Sequence, residues 1–349
     1  MKTSSSPSST ETNFRLDNTQ YCLTVDRTLT VGFLGGSITV GVGASDAERT
    51  SWRALTVQWL HEQYPQATIR DFSLAVSGRG SAVGVSQVGG GLLRRERPDL
   101  LFLEFAINDR HECRPYSVSE RNMESLVRML WQENPYTDIV LVYTSDDRNC
   151  GNDFDAIRAF GSVAERYGLP QMNVGRKLAL QEGSEAFQKG GRFLADNVHP
   201  NDAGHRWYAT FVTEYLQMLL DGAALTARQP HNLPAPGRDD LYTKGHRLSA
   251  AELAVDLPET SRREDGALLP PHQSIVVTLR GEQLVLHWQA PWELSLEVSL
   301  DGQEPKQIDG VPYGTYHVLY EKLPARTHCL QLTNCGDSEC LIHELIGIE

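Results

Sequence analysis

Residues 31–41 read VGFLGGSITVG. An apolar run stops abruptly at Gly35-Gly36-Ser37, and a polar stretch punctuated by glycine follows. TLTVGFLG, residues 28–35, has the length and β-branched content of a strand, so Ser37 stands just past a strand end. Such a serine is either ordinary turn chemistry or a nucleophile held at the carboxyl edge of a sheet. The surrounding sequence decides between the two.

Outward from that strand, two patterns alternate. SWRALTVQWLHEQY (51–64) places Trp52, Leu55, Trp59 and Leu60 at helical spacing behind a Ser/Thr start signal. ATIRDFSLAVS (67–77) predicts a second strand, with the Gly-rich GRGSAVG after it. DLLFLEFAI (99–107) predicts a third, apolar almost throughout, as expected when both faces of a sheet are covered. A helix near 119–133, a strand at DIVLVYT (138–144), a helix near 153–167 and a long amphipathic helix over 202–220 complete the series. Strand–helix alternation implies a parallel sheet with helices on both faces. Ligands of such folds sit at the carboxyl ends of the strands. Ser37, Gly78 and Asn108 each follow one of the first three strands.

After residue 220 the texture changes. RQPHNLPAPGRDD (228–240) is Pro-rich and reads as a linker or a strap along the surface. From 272 onward come short alternating runs, SIVVTLRG, QLVLHWQ, LSLEVSLDG, YHVLYEKL, HCLQLTN and LIHELIGI, separated by turn residues such as Gly281, Asp301-Gly302 and Asp309-Gly310. They predict a small antiparallel β-sandwich or jelly-roll-like domain. The expected division is a disordered tail over 1–20, an α/β domain over 21–222, a linker over 223–260 and a β-sandwich over 261–349. Trp288 alternates with Leu284 and Leu286 and reads as core. Trp292, Tyr313 and Tyr316 fall near turns, where exposed aromatics more often contact something. A Pro-rich linker favours a docked β-domain over a swinging one, against the α/β domain or a neighbouring subunit. A homo-oligomer therefore stays open.

Composition excludes several classes. The chain has 349 residues, enough for two domains, and a formal net charge of −13, which argues against nucleic-acid and anionic-membrane partners. No apolar run approaches the ~20 residues of a membrane span. MKTSSSPSSTETN lacks the apolar core of a signal peptide, so a cytoplasmic protein is expected, with secretion open if a leader was removed. Six thinly spread cysteines with no CxxC read as free thiols, although Cys335 and Cys340 could close a small loop. HEC at 111–113 has no second ligand pair, so no metal and no cofactor is expected.

Four short stretches remain: Gly36-Ser37, Gly78, Asn108-Asp109, and DNVHP (196–200) with Asp196 and His199. Each alone has a bland reading as turn chemistry or a surface histidine. Their order is informative. GGSIT (35–39), AVSGRG (75–80), AIND (106–109) and DNVHP resemble, in sequence, the four blocks of the SGNH (GDSL-type) hydrolases. Gly36 stands where that family commonly has Asp, and Ala106 where it has Gly. Neither change removes a reacting group. The resemblance covers roughly 28–220 and implies a flavodoxin-like three-layer α/β/α domain with ester-hydrolysing activity.

A serine hydroxyl needs a base within hydrogen-bond reach. His199 can take the Ser37 proton and return it to the leaving alcohol, and Asp196 can fix the imidazole tautomer. By resemblance, the oxyanion donors are the backbone N–H groups of Ser37 and Gly78 and the side-chain amide of Asn108. Asp109 reads as a loop brace. The helix near residue 51 is too distant for a nucleophile elbow, so this is not the G-x-S-x-G pattern.

Two rival classes remain. GRGSAVG after a strand could cradle a dinucleotide, but it follows the second strand, and the acidic residue ~20 positions on, Asp99, starts a strand rather than ending one. Alternatively the chain is a binding protein acting through its β-domain, which the intact Ser37, Asp196 and His199 disfavour. The polar loops RHECRPYS (110–117) and SDDRNCGNDF (145–154) suit a polar alcohol better than a long acyl chain. The expected substrate is a small acyl ester of a carbohydrate, with an O-acyltransferase using the same serine as the alternative.

Overall fold

The computed structural model describes residues 14–349 apart from 92, 223–225, 256 and 313. Five parallel strands, β1 (Thr28–Gly35), β2 (Thr68–Ser73), β3 (Leu100–Glu104), β4 (Asp138–Tyr143) and β5 (Gln171–Asn173), lie in the order β2-β1-β3-β4-β5. The chain order doubles back at β1/β3, and this reversal opens a crevice at the carboxyl ends.

Eleven α-helices are described: α1 (Asp17–Tyr21), α2 (Ser37–Val40), α3 (Trp52–Gln63), α4 (Ser81–Gly89), α5 (Leu93–Glu96), α6 (Ala106–His111), α7 (Tyr116–Glu133), α8 (Asp155–Tyr167), α9 (Val174–Glu182), α10 (Asp202–Leu219) and α11 (Ala250–Leu253). Strand side chains alternate between faces, and β3 shows the result. Leu101 and Leu103 join the core under α4, α7 and α8, whereas Leu100 and Phe102 join the core under α3, α9 and α10. Both faces are covered, which is why β3 and β4 are buried along their whole length. The sheet and its two helical layers form the expected α/β/α domain.

The C-terminal region forms the expected all-β domain. β8 (Ser274–Arg280), β10 (Ser295–Leu300), β11 (Lys306–Asp309) and β13 (Thr327–Asn334) make one antiparallel sheet in the order β11-β10-β13-β8. β6 (Gly245–Leu248), β9 (Gln283–Gln289), β12 (Thr315–Tyr320) and β14 (Cys340–Ile348) make the other, in the order β12-β9-β14-β6, with β7 (Ala267–Leu269) also paired to β14. Leu284, Leu286 and Trp288 of β9 point into the sandwich with Ile342 and Leu345. Val285, Ile346 and Ile348 point the other way and share a core with Val83, Val85 and Val88 of α4. One sheet of the sandwich is therefore apolar on both faces and docks on the α/β domain. Arg114 to Glu321 (2.9 Å) and the Gln283 amide to the Ala82 carbonyl (3.1 Å) add polar contacts across that junction.

Residues 226–244 form a strap along α7. Arg128 donates to the Pro234 carbonyl, the Gly237 N–H donates to Glu124, and Tyr242 packs under Arg121. Several expectations need correction. Residues 1–13 of the expected tail lie outside the described residues, but Asp17–Tyr21 form a helix whose Thr19 donates twice to Asp138. The linker ends sooner than 260, because Gly245–Leu248 pairs with β14 as an edge strand. Tyr316 is buried rather than exposed, with its hydroxyl on Glu344 and its ring stacked on His287. Tyr313 lies outside the described residues. All six cysteines are free, including Cys335 and Cys340. Among the described residues no helix is long and apolar enough to cross a membrane, and no three His, Cys, Asp or Glu side chains gather as a metal site.

Candidate active site

Ser37 stands where β1 has run out. The Gly36 N–H still bonds to the Glu104 carbonyl (3.1 Å), continuing the β1–β3 ladder by one residue. Gly36 then caps α2, and Ser37 is the first residue of that single turn. A four-residue helix is too short to carry a periodic pattern, so the start of a helix at the serine itself is not legible in the residues alone. The Ser37 N–H is in the first turn, where backbone donors have no intrahelical acceptor.

His199 and Asp196 arrive on the loop before α10, pinned by a bridge between Leu194 and Pro200. Asp196 Oδ1 accepts from the N–H groups of Val198 (2.8 Å) and His199 (2.7 Å), and Oδ2 lies 2.7 Å from His199 Nδ1. Partial burial opposes ionisation of Asp196, but the bonds from the His199 ring and these backbone groups outweigh it and hold its carboxyl below the ordinary value. A carboxylate only accepts, so Nδ1 carries the imidazole proton and Nε2 presents its lone pair. Ser37 Oγ lies 2.8 Å from Nε2. The three residues, 162 positions apart at the extremes of the pair Ser37–His199, form one hydrogen-bonded chain.

Of the expected oxyanion donors, Asn108 packs on the neighbour of Ser37, and Gly78 follows Val76, whose N–H bonds the Gly35 carbonyl (2.9 Å). Gly78 has φ +70°, and a Cβ placed on it would meet nothing within 4 Å. Glycine is there for its backbone conformation, and the space beside it is open. Asn108, in the first turn of α6, lies against Gly36: a Cβ on Gly36 would fall 1.8 Å from Asn108 Oδ1 and 2.7 Å from its Cγ. Gly36 has φ −92°, so backbone strain is not the reason for glycine; the Asn108 amide occupies the space. Gly36→Ala should therefore displace that amide and lower kcat by about 10²- to 10³-fold, the loss typical of one oxyanion donor. Asn108→Ala should cost the same, and the double variant no more than either alone. Steady-state kinetics on a chromogenic acetate ester checks this; additive losses would show that Gly36 acts independently of Asn108.

Asp109 is fully buried and accepts from the Ser81 N–H and Oγ, both at 2.7 Å, while the Gly80 N–H donates to Glu112 at 2.9 Å. Burial pushes the Asp109 pKa up to about 6 against the pull of Arg114 and Ser81. Asp109 therefore braces α6 to α4. These two carboxylates also occupy the helix start that GRGSAVG would need for a pyrophosphate, which removes the basis of a dinucleotide site.

Sequence reading missed Glu104. Its carboxyl, fully buried behind α2, accepts from Thr39 Oγ1 and Thr144 Oγ1, each at 2.9 Å. The available signal was one acidic residue at the end of an otherwise apolar strand. Burial pushes its pKa up to about 7, against the hydrogen bonds from Thr39, Thr144 and Gly36. Folding disfavours the ionised form, so the stability this group leaves intact below its ordinary value of 4.5 is lost as pH rises through about 7. Glu104→Gln keeps amide partners for both threonines and removes the titration. Its Tm should fall less than that of the wild type between pH 5 and 8, and superimposable Tm–pH curves would contradict the assignment. His205 was missed as well. It accepts from the Trp52 N–H through Nδ1 (3.2 Å) and bonds the Val42 carbonyl through Nε2 (3.2 Å), and burial lowers its pKa to about 4. It ties α10 to the segment after α2 as a neutral ring.

Both polar loops reach this edge. Arg110 and His111 bond the buried Asp146, each at 2.9 Å, and the Asp147 N–H bonds the Asn197 carbonyl of the triad loop at 2.9 Å. Beside α2 a cavity of about 370 Å³ opens between the domains, lined by Val40, Ser73–Ser77, Gln87, His287 and Gly314–Tyr316. A larger one, about 640 Å³, lies by Pro98, Asp99 and Thr137, at the amino ends of β3 and β4 and away from the serine. The hydrogen-bonded chain of Asp196, His199 and Ser37 therefore does not lie at the larger cavity.

Residues 33–207 match the family model described as GDSL-like lipase/acylhydrolase. Among solved structures, the chain is similar to a two-domain esterase (CEX) active on acetylated mannans, at 22% identity over 94% of this chain and 95% of that one, TM-score 0.72. A structure of CEX co-crystallised with mannopentaose gives 21% identity over 97% and 96% of the two chains, TM-score 0.73. At these identities the likeness is one of fold, and it extends through both domains. No curated protein matches the chain in sequence.

Proposed function

The chain belongs to the GDSL-like lipase/acylhydrolase family and is a carboxylic ester hydrolase, and on that premise we propose that it removes small acyl groups, acetyl foremost, from the hydroxyls of a glycan through an acyl-enzyme on Ser37. The observation that carries the mechanism is the chain Asp196 Oδ2 to His199 Nδ1 (2.7 Å) and His199 Nε2 to Ser37 Oγ (2.8 Å) at the carboxyl edge of the sheet.

Ser37 Oγ attacks the ester carbonyl as its proton passes to His199 Nε2, and Asp196 stabilises the imidazolium. The carbonyl oxygen gains negative charge and is met by the N–H groups of Ser37 and Gly78 and the Asn108 amide. Collapse breaks the bond to the sugar oxygen, which leaves with the proton from His199. Water then attacks the acyl-Ser37 carbonyl, gives its proton to His199, and collapse releases the carboxylic acid and restores Ser37. No step calls for a cofactor.

The glycan half rests on three supports. The fold is shared over both domains with an esterase active on acetylated mannans. The loops beside the triad are charged, with Arg110, His111 and Asp146 in one cluster. The cavity that reaches Val40, three residues past Ser37, is walled partly by the β-domain, which supports an alcohol larger than a simple alkyl group. The test is acetate release from a panel of acetylated oligosaccharides, with and without an acceptor alcohol. Release from glycan esters at higher kcat/KM than from long-chain acyl esters is expected. Preference for the long chains would overturn the substrate class, and acyl transfer to the acceptor in place of acetate release would make the protein an acyltransferase.

A further inference from the structure

Resting on the glycan-ester reading, we propose that Trp292 and its surroundings on the β-domain form a second sugar-binding subsite, which holds a neutral polysaccharide chain beyond the unit being deacylated. Trp292 sits on the turn between β9 and β10 and is 61% exposed, in contrast to Trp288, which is fully buried only four residues earlier. It borders a cavity of about 470 Å³ with Leu268, Pro291 and Leu341 as apolar wall and Gln289, Glu293 and Glu339 as polar groups. An indole face against apolar C–H surface, ringed by side chains that hydrogen-bond hydroxyls, suits a pyranose ring.

The turn is pre-set. The Leu294 N–H bonds the Pro291 carbonyl (3.1 Å), the Gly310 N–H bonds the Leu294 carbonyl (2.8 Å), and the Ala290 N–H bonds the Val311 carbonyl (3.2 Å). Little order is therefore lost on binding. The position also fits one chain across two sites. Pro312 lines this cavity, while Gly314, Thr315 and Tyr316, just after it, line the cavity beside α2. The two cavities are thus lined by residues close together in the chain, and a glycan seated with its ester at Ser37 extends from one toward the other. The charge narrows the ligand. Glu293 and Glu339 border the site with no Lys or Arg among its lining residues, and the net charge is −13, so acidic polysaccharides are repelled.

The experiment uses the full chain with de-acetylated mannan and xylan oligosaccharides as binding probes and polygalacturonate as the acidic control. Neutral oligosaccharides should quench tryptophan fluorescence in the wild type and not in Trp292→Ala, with no response to polygalacturonate. On an acetylated polymer the variant's KM should rise about tenfold with kcat little changed, while kcat/KM on a small chromogenic acetate stays at the wild-type value. Trp292→Tyr should recover part of the loss, which separates stacking from misfolding. A wild-type KM for Trp292→Ala on the polymer, or equal quenching in both proteins, overturns the subsite. If the wild type itself cleaves only small esters and no glycan ester, the parent reading has failed instead.

Discussion

Ser37→Ala lowers kcat on a small acetate ester by on the order of 10⁵- to 10⁶-fold, the scale seen when a triad nucleophile is removed. The variant has no oxygen from which to form the acyl-enzyme. Only the oxyanion donors and substrate binding remain, and these leave a residual rate above that of water. Stability should be unchanged. The Ser37 hydroxyl bonds His199 and is not the cap of α2, a role held by Gly36, and alanine is at ease in the first turn of a helix. Steady-state kinetics beside a thermal melt separates the outcomes. A variant that is inactive because it is unfolded says nothing about the nucleophile, and a folded variant with more than a few per cent of wild-type activity removes Ser37 from the mechanism.

His199→Ala is expected to cost nearly as much, because without a base the serine keeps its proton. The sharper expectation concerns the pair. Ser37→Ala/His199→Ala should be no slower than either single variant, since the two residues act as one unit. Asp196→Asn should lose less. It can still accept from the N–H groups of Val198 and His199 and so keep the loop closed, but it no longer supplies the charge that fixes the Nδ1 proton. Kinetics of the three singles and the double settle the point. Multiplicative losses in the double variant would mean that serine and histidine serve different steps.

Much of this was legible in residues 28–41. The run TLTVGFLG predicts β1 over the bounds the structure shows, because an apolar β-branched segment halted by two glycines has few other readings. The sites after the first three strands followed from strand–helix alternation, since parallel sheets put their carboxyl ends together. What stayed hidden has physical causes. The turn α2 is too short for a periodic pattern. β6 alternates no apolar residues; GHRL is held by backbone pairing to β14, by Arg247 on Glu344 and His246 on Glu349, and by Leu248 against the β-domain core. Tyr316 looked like a turn aromatic, because nothing local shows that the outer face of its sheet meets α4. The reason for Gly36 was equally invisible, as it depends on the amide of Asn108, which the fold brings in from the end of β3. Local chemistry shows in a sequence, whereas contacts between distant segments do not.

The central claim is that Ser37 is the residue acylated. Its most direct measurement is reaction of the intact protein with a serine-directed phosphonate ester, followed by mass spectrometry of the digested product. The account predicts one adduct per chain, on the peptide containing Ser37, appearing in step with loss of esterase activity and absent from Ser37→Ala. An adduct on a different serine that tracks inactivation, or full activity in protein labelled at Ser37, would contradict it.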